Sequence, residues 1–344
     1  MQSMKNSAIA ILSVASLVVG AGIGYLSTRN SGPDPRYIPT EVREISPDYK
    51  FIDPLIGVET DQSLYPEYSA LDAQMNAYIA QAKADGTANS ISIYFRDEKS
   101  GHWTGVNENE TYEPSSMLKV AVMIAYLRAS SNQASMQNTT TQDILAKKLY
   151  YPGTDISGLH YPPSHILPPG YYSAQDLINA MIIDSDNSAA TTLLDSVQDE
   201  FQNVYDDFRL PPTPGAQVGD YMTAKSYSLI FRSLYNAAYL SRRLSDQSLE
   251  LLAQSDFTKG LVAGVPAGTV VAHKFGEHTY ALADGTPISH ELHDCGIVYY
   301  PSKPYLLCVM TKGSDFSNLE KVISGISNLV YTSVDSSQAK TAGK

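Results

Sequence analysis

The chain has 344 residues, 43% apolar and 17% charged, enough apolar surface to bury a core and to exclude wholesale disorder. Its 36 acidic side chains outnumber 24 basic ones, for a formal net charge of −12, and Lys and Arg never cluster, which excludes a protein that tracks nucleic-acid phosphates. Two cysteines exclude a disulfide scaffold and a four-cysteine zinc site.

Residues 8–26 carry no charge; Lys5 precedes them and Arg29 follows. The run reaches the ~18 residues that span a bilayer and exceeds the usual apolar stretch of a cleaved signal peptide. Residues 1–26 are therefore expected to anchor the chain in a membrane, with cleavage near residues 20–24 as the competing outcome. Either way the remainder is expected on the extracytoplasmic side. Residues 27–66 hold Pro33, Pro35, Pro39, Pro47, Pro54 and Pro66 among scattered charges, the composition of an extended tether, with an apolar docking spot at 51–56.

From 68 to 84, Leu71, Met75, Tyr78, Ile79 and Ala82 share one helical face that ends near Gly86. Residues 90–96 alternate Ile91, Ile93 and Phe95 with polar side chains, as a strand does, and 102–106 form a second strand after a turn at Lys99, Ser100 and Gly101. Residues 117–128 are apolar nearly all round, which predicts a helix buried in the middle of the domain. Ser173, with Asp176 three residues on, opens a helix running to about Ile183; 187–197 and 224–240 are also helical. Strands are predicted at 269–274, 295–300 and 305–310, the last two as a hairpin across 301–304. An amphipathic helix at 316–331 closes the fold before a polar, frayed tail at 336–344. This order predicts an α/β fold, an α+β sandwich, for one domain at 67–335: an antiparallel sheet flanked by helices, with the central helical block as an all-helical lobe.

The chemistry concentrates in three short motifs. Ser116-Met117-Leu118-Lys119 lies where a loop gives way to the buried helix, so Lys119 reaches back towards Ser116 across one turn. A serine hydroxyl needs a neighbouring base to become a nucleophile, and a lysine on a buried helix loses the solvation that keeps it charged. Taken alone, Ser116 also fits a helix cap, and a second Ser-x-x-Lys at 337–340 in the polar tail carries no meaning. Ser185-Asp186-Asn187 occurs once, between two helices, where it too fits a cap. Lys274-Phe275-Gly276 ends a predicted strand.

Together these motifs resemble the penicillin-recognising serine hydrolases, in particular the class A β-lactamase domain, over about residues 66–332. Pro114 and Ser115 before the serine, Pro169 and Gly170 before the helix leading to Ser185, and His273 before Lys274 extend the match. The resemblance implies that Ser116 is the acylated nucleophile and Lys119 its proton acceptor. It implies that Ser185 relays a proton to the leaving nitrogen, with Lys274 adjusting the charge around it. Asn187 would bind a substrate amide, and Gly276 and Glu277 would line the substrate strand, the oxyanion being held by the N–H groups of Ser116 and Glu277. It further implies a monomer without cofactor or metal that acts on a small β-lactam or a peptidoglycan peptide.

Two departures qualify this. Phe275 stands where the family carries Thr or Ser, so a hydroxyl that helps bind the β-lactam carboxylate is missing. The loop at 208–223 lacks the glutamate that activates the deacylating water; Asp220 is its only acid. The expectation is an exported serine hydrolase that is acylated and deacylates slowly. The alternatives are a D,D-peptidase-like acyltransferase acting on peptidoglycan peptides, or a non-catalytic cell-wall binder. The filled acylation positions speak against the last.

His278, His290 and His293 lie near the third motif, but His290 and His293 are three apart in what reads as a loop, not four apart on a helix as a zinc protease needs, and are taken as polar rim. Pairing Tyr300 with Tyr305 puts Cys308 opposite Ile297 and Cys295 diagonal to it. That is poor bridging geometry, so two small buried thiols are expected.

Overall fold

The computed structural model describes residues 49–54, 68–210 and 219–342, all within one compact unit, Glu41–Lys344; the second unit, Met1–Thr40, and with it the charge-free run 8–26, lies outside the described residues. The described elements begin with α1 (Ser69–Ala84), β1 (Ser90–Asp97), β2 (Trp103–Val106) and β3 (Thr111–Tyr112). A 3₁₀ turn, Ser115–Leu118, leads into α2 (Lys119–Met136), followed by α3 (Thr141–Leu145), β4 (Lys148–Tyr151) and β5 (Gly170–Ser173). Then come α4 (Ala174–Ile183), α5 (Asn187–Leu194), α6 (Gln198–Asp207), β6 (Met222–Thr223), α7 (Ala224–Tyr235) and α8 (Arg242–Leu252). The chain closes with β7 (Val271–Ala281), β8 (Pro287–Val298), β9 (Tyr305–Gly313) and α9 (Phe316–Ala342).

The main sheet is antiparallel, in the order β2-β1-β9-β8-β7, so β7 is an edge strand. Period-2 alternation sends Ile91, Ile93 and Phe95 of β1, and Leu307 and Val309 of β9, into a core shared with α1 and α9. Tyr94, Leu306, Cys308 and Met310 enter the opposite core, shared with α2 and α7. Helices cover both faces, which is why every residue of β1 is buried. This is the sandwich with a helical lobe that the pattern predicts. The first half of α2, from Lys119 to Leu127, is buried throughout, as an all-round apolar helix requires. The Ser173–Asp176 capping box is formed with both bonds present, and Thr140 with Asp143 makes a second that opens α3.

Several expectations are corrected. β7 and β8 run well beyond their predicted ends, so His290, Glu291 and His293 lie in a strand rather than a loop. Ladder pairing of β8 between β7 and β9 overrides the local polarity there. Helix α9 continues past Tyr331 to Ala342, through most of the stretch expected as a frayed tail from 336, and Val334 carries the buried stripe of Ile326 and Val330 beyond the predicted end. Helices α3, α6 and α8 and the small β3–β6 and β4–β5 sheets were not legible as elements. Phe51 and Ile52 are buried; the Phe51 N–H donates to Asp246 of α8 at 2.7 Å, and its carbonyl accepts from the Tyr299 hydroxyl at 2.9 Å.

The two cysteines are bridged, not free. The hairpin pairs Val298 with Tyr305, so Cys295 sits directly opposite Cys308 with the Cα atoms 4.0 Å apart. The register differs from the expected one because Tyr299 and Tyr300 belong to the turn, and that shift turns a diagonal pair into a facing one. Replacing both cysteines by alanine opens a loop of sequence separation 13. The expected cost is roughly 2–3 kcal/mol, read as a lower urea midpoint, with reductant reproducing it in the wild type and adding nothing in the variant.

Candidate active site

Ser116 occupies the 3₁₀ turn at the head of α2, and no side chain caps that turn or the helix after it. The capping role that its position alone would suit is therefore not the one it plays. Lys119 Nζ lies 2.8 Å from Ser116 Oγ, 2.5 Å from the Ser185 carbonyl, 3.1 Å from Ser185 Oγ and 2.6 Å from Asn187 Oδ1. Lys274 Nζ comes from β7 to 2.9 Å from the same Ser185 Oγ. Five of the sequence-predicted residues, Ser116, Lys119, Ser185, Asn187 and Lys274, thus converge on one point between the sheet and the helical lobe.

Both lysines are buried. Burial, reinforced by the charge of Lys274, holds Lys119 well below the usual lysine range. Burial also lowers Lys274 to about 7, against the opposing pull of Asp256, Asp294 and Glu277. A neutral amine has two N–H bonds and one lone pair. The Ser185 carbonyl and Asn187 Oδ1 can only accept, so they take the two hydrogens of neutral Lys119 and leave its lone pair to the Ser116 hydroxyl.

The backbone around this cluster is held under strain. Ser115 and Ser185 have φ of 48° and 58°, a left-handed conformation unusual for serine. Asp186 stabilises the second by capping α5 through the Ala189 N–H at 2.7 Å, while its other oxygen accepts from the buried Tyr151 hydroxyl at 2.6 Å. The Tyr227 hydroxyl donates to the Met117 carbonyl at 2.8 Å beneath the serine turn. Behind that turn, the buried Glu291 accepts the Glu113 N–H at 3.0 Å and pairs with Lys312 at 2.9 Å. His293 Nδ1 accepts the Thr311 N–H, so its Nε2 carries the hydrogen donated to the Glu113 carbonyl. On the other side of Lys274, His273 Nδ1 lies 2.7 Å from Asp294, which also accepts the Leu261 N–H at 2.8 Å. The Asp186 cap, between residues three apart, is the one the sequence suggests; the other supports were not legible beforehand, because each joins residues well separated in the chain.

Gly276 brings the edge strand hard against the serine turn: a Cβ there would lie 2.6 Å from the Pro114 carbonyl and 2.9 Å from Met117 Cγ. Glu277 follows, and its carboxylate accepts the His160 and Tyr161 N–H groups at 2.9 and 3.0 Å.

A sequence model of the beta-lactamase enzyme family matches residues 70–334. The chain belongs to that family. Solved structures similar to this beta-lactamase-family chain include the TLA-3 extended-spectrum beta-lactamase, 20% identical, with a TM-score of 0.62 over 76% of this chain and 98% of that one. A class A beta-lactamase from Mycobacterium abscessus is 20% identical, TM-score 0.61, over 76% and 99% of the two chains. A point mutant of PBP-A, captured as an acyl-enzyme complex with penicillin G, is 18% identical, TM-score 0.60, over 77% and 97%. At these identities the likeness shows the fold. No curated protein matches the sequence.

Within this family frame the departures take physical form. Phe275 is buried, stacked on Phe257 at 4.1 Å and edge-on to Tyr161, so its ring belongs to a core rather than to the cleft surface. Asp220 gives one oxygen to the Tyr280 hydroxyl and the other to Lys312 at 2.9 Å. His290 takes Thr279 Oγ1 at 2.9 Å and packs on Phe316, while His278 packs on Tyr280.

Lys274 makes the site's electrostatics testable. Its pKa is near 10.4 unfolded and about 7 folded, so between these values the unfolded chain binds the extra proton. That part of the stability grows as pH rises, approaching about 1.4 kcal/mol per pH unit. Urea titrations of wild type and Lys274→Met should show the wild type gaining on the variant from about pH 7 to 10, with a flat difference below about pH 6.

Proposed function

We propose that the protein is an exported serine hydrolase that is acylated on Ser116 by a β-lactam or a related strained or peptide amide, and that it deacylates slowly. The observation that carries this reading is the approach of one buried, neutral-leaning amine to both hydroxyls, 2.8 Å from Ser116 Oγ and 3.1 Å from Ser185 Oγ. Lys119 takes the Ser116 proton as Oγ attacks the carbonyl carbon. The oxyanion is held by the N–H groups of Ser116 and Glu277. As the C–N bond breaks, Ser185 passes its own proton to the departing nitrogen and is replenished from Lys119. Lys274 keeps that relay in a positive field, and Asn187 orients both the lysine and a substrate amide.

Hydrolysis of the ester needs a base on a water. The only acid of the loop at 208–223 is Asp220, and both its oxygens are engaged elsewhere. This favours the second reading too, a D,D-peptidase-like acyltransferase that passes its acyl group to an amine, and it is consistent with the penicillin G acyl-enzyme of the PBP-A mutant. Export, with residues 1–26 as anchor or cleaved signal and 27–66 as tether, is supported by the Cys295–Cys308 bridge, since disulfides persist in oxidising compartments.

Incubation with a fluorescent penicillin, followed by intact mass spectrometry over time, should give one acyl group on Ser116 that outlasts the free donor. Rapid turnover with no acyl-enzyme at steady state would overturn the slow step. Lys119→Ala should lower the acylation rate by ~10²–10⁴. In the wild type the rate should fall on acidification, as Lys119 takes up a proton and its lone pair is lost. An acylation rate that rises on acidification would remove Lys119 from the role of base.

A further inference from the structure

The connection between β4 and β5, residues 152–169, reaches from the turn before Ser185 to β7. On one side Ser164 donates its N–H to Asp256 at 3.1 Å and its hydroxyl to Asp184, the residue before Ser185, at 3.4 Å. On the other side the His160 and Tyr161 N–H groups both donate to the Glu277 carboxylate, immediately beyond Gly276 on β7. Tyr161 packs edge-on against Phe257 and Phe275, and its hydroxyl donates to Glu320 of α9 at 2.8 Å; His160 stacks on Phe316 at 4.4 Å. Between the two anchorages stand Pro162 and Pro163, which fix φ and stiffen the crossing.

We infer that residues 160–164 form a strap, latched by Glu277, that limits the size of the acyl donor reaching Ser116. The strap joins the Ser185 side of the cleft to the β7 side, so a donor lying along β7 past Gly276 meets His160 and Tyr161. Glu277 is the positioning residue: one carboxylate holds two consecutive backbone N–H groups, and a neutral side chain there cannot hold both with charge-assisted bonds. The crossing has no regular secondary structure, and His160 and Ser164 are exposed, so its position depends on these few anchors. The inference rests on the acyl-transfer reading for what the filter selects, but not for whether the filter exists.

The full-length chain is compared with Glu277→Ala, Glu277→Gln and Tyr161→Ala, which loosen the strap at two independent anchors. Hydrogen exchange at the His160 and Tyr161 amides should quicken by about tenfold or more in Glu277→Ala and by less in Glu277→Gln, with the amides of α2 unchanged. The ratio of acylation rates for a penicillin bearing a bulky fluorophore against penicillin G should rise by about tenfold in Glu277→Ala and Tyr161→Ala; taking the ratio removes any change in the chemistry itself. In a Ser116→Cys background the ratio of alkylation by a bulky fluorescent maleimide to that by iodoacetamide should rise in parallel. Unchanged exchange in Glu277→Ala overturns the latch, and unchanged size ratios in both variants overturn the filter. Penicillins that label no variant while the thiol ratio still rises would sink the acyl-transfer reading and leave the strap standing.

Discussion

Lys119 Nζ is removed from water, and what replaces the water is a pair of oxygens that can only accept, the Ser185 carbonyl and Asn187 Oδ1. That exchange sets the character of the whole cleft. A second buried amine, Lys274, meets the first at Ser185 Oγ, and two ammonium charges in so dry a place repel. The cheapest arrangement leaves at least one of them neutral, which makes a base from a residue that would be an acid in solution. Carboxylates oppose the effect at both amines, Asp186 and Glu277 at Lys119 and Asp256, Asp294 and Glu277 at Lys274, and burial still lowers both.

The fold exists around that cluster in a specific way. The sheet is a middle layer with a core on either face, and its edge strand β7 is the one that carries Lys274 and Gly276. The missing Cβ of Gly276 lets this strand touch the Ser116 turn. Ser115 and Ser185 sit at positive φ because the surroundings over-determine them: the Asp186 cap, the Tyr151 hydroxyl and the Lys119 amine hold the second turn from three directions. In that conformation the buried Ser185 keeps its hydroxyl within reach of both Lys119 and Lys274.

The far end of the cleft follows a different logic. The aromatic ring at 275 has become part of a core with Phe257, Tyr161 and Phe316, and the carboxylate at 277 holds two amides of a crossing segment. A hydroxyl-lined, cation-rich end would suit an anionic group. This end is aromatic and carries a carboxylate. On the opposite side Asp220 is tied to Tyr280 and Lys312.

The amino-acid sequence by itself determined the candidate site residues and most of the scaffold. The Ser116–Lys119 spacing, the Ser185-Asp186-Asn187 turn, the all-round apolar face of α2, the alternation in β1 and the Ser173 cap are local patterns, and local patterns survive folding because they arise from neighbours two to four residues away. The tertiary structure alone decided the register that sets Cys295 opposite Cys308, the strand that carries His290 and His293, the continuation of α9, the partners of Asp220 and the crossing at 160–164. Most of these depend on contacts between segments far apart in the chain, and α9's extra turns depend on a core to receive Val330 and Val334. A polar stretch such as 287–294 becomes a strand only when β7 and β9 offer ladder partners on both sides. An acidic side chain becomes a latch, as Glu277 does, only when two amides from more than a hundred positions away arrive beside it.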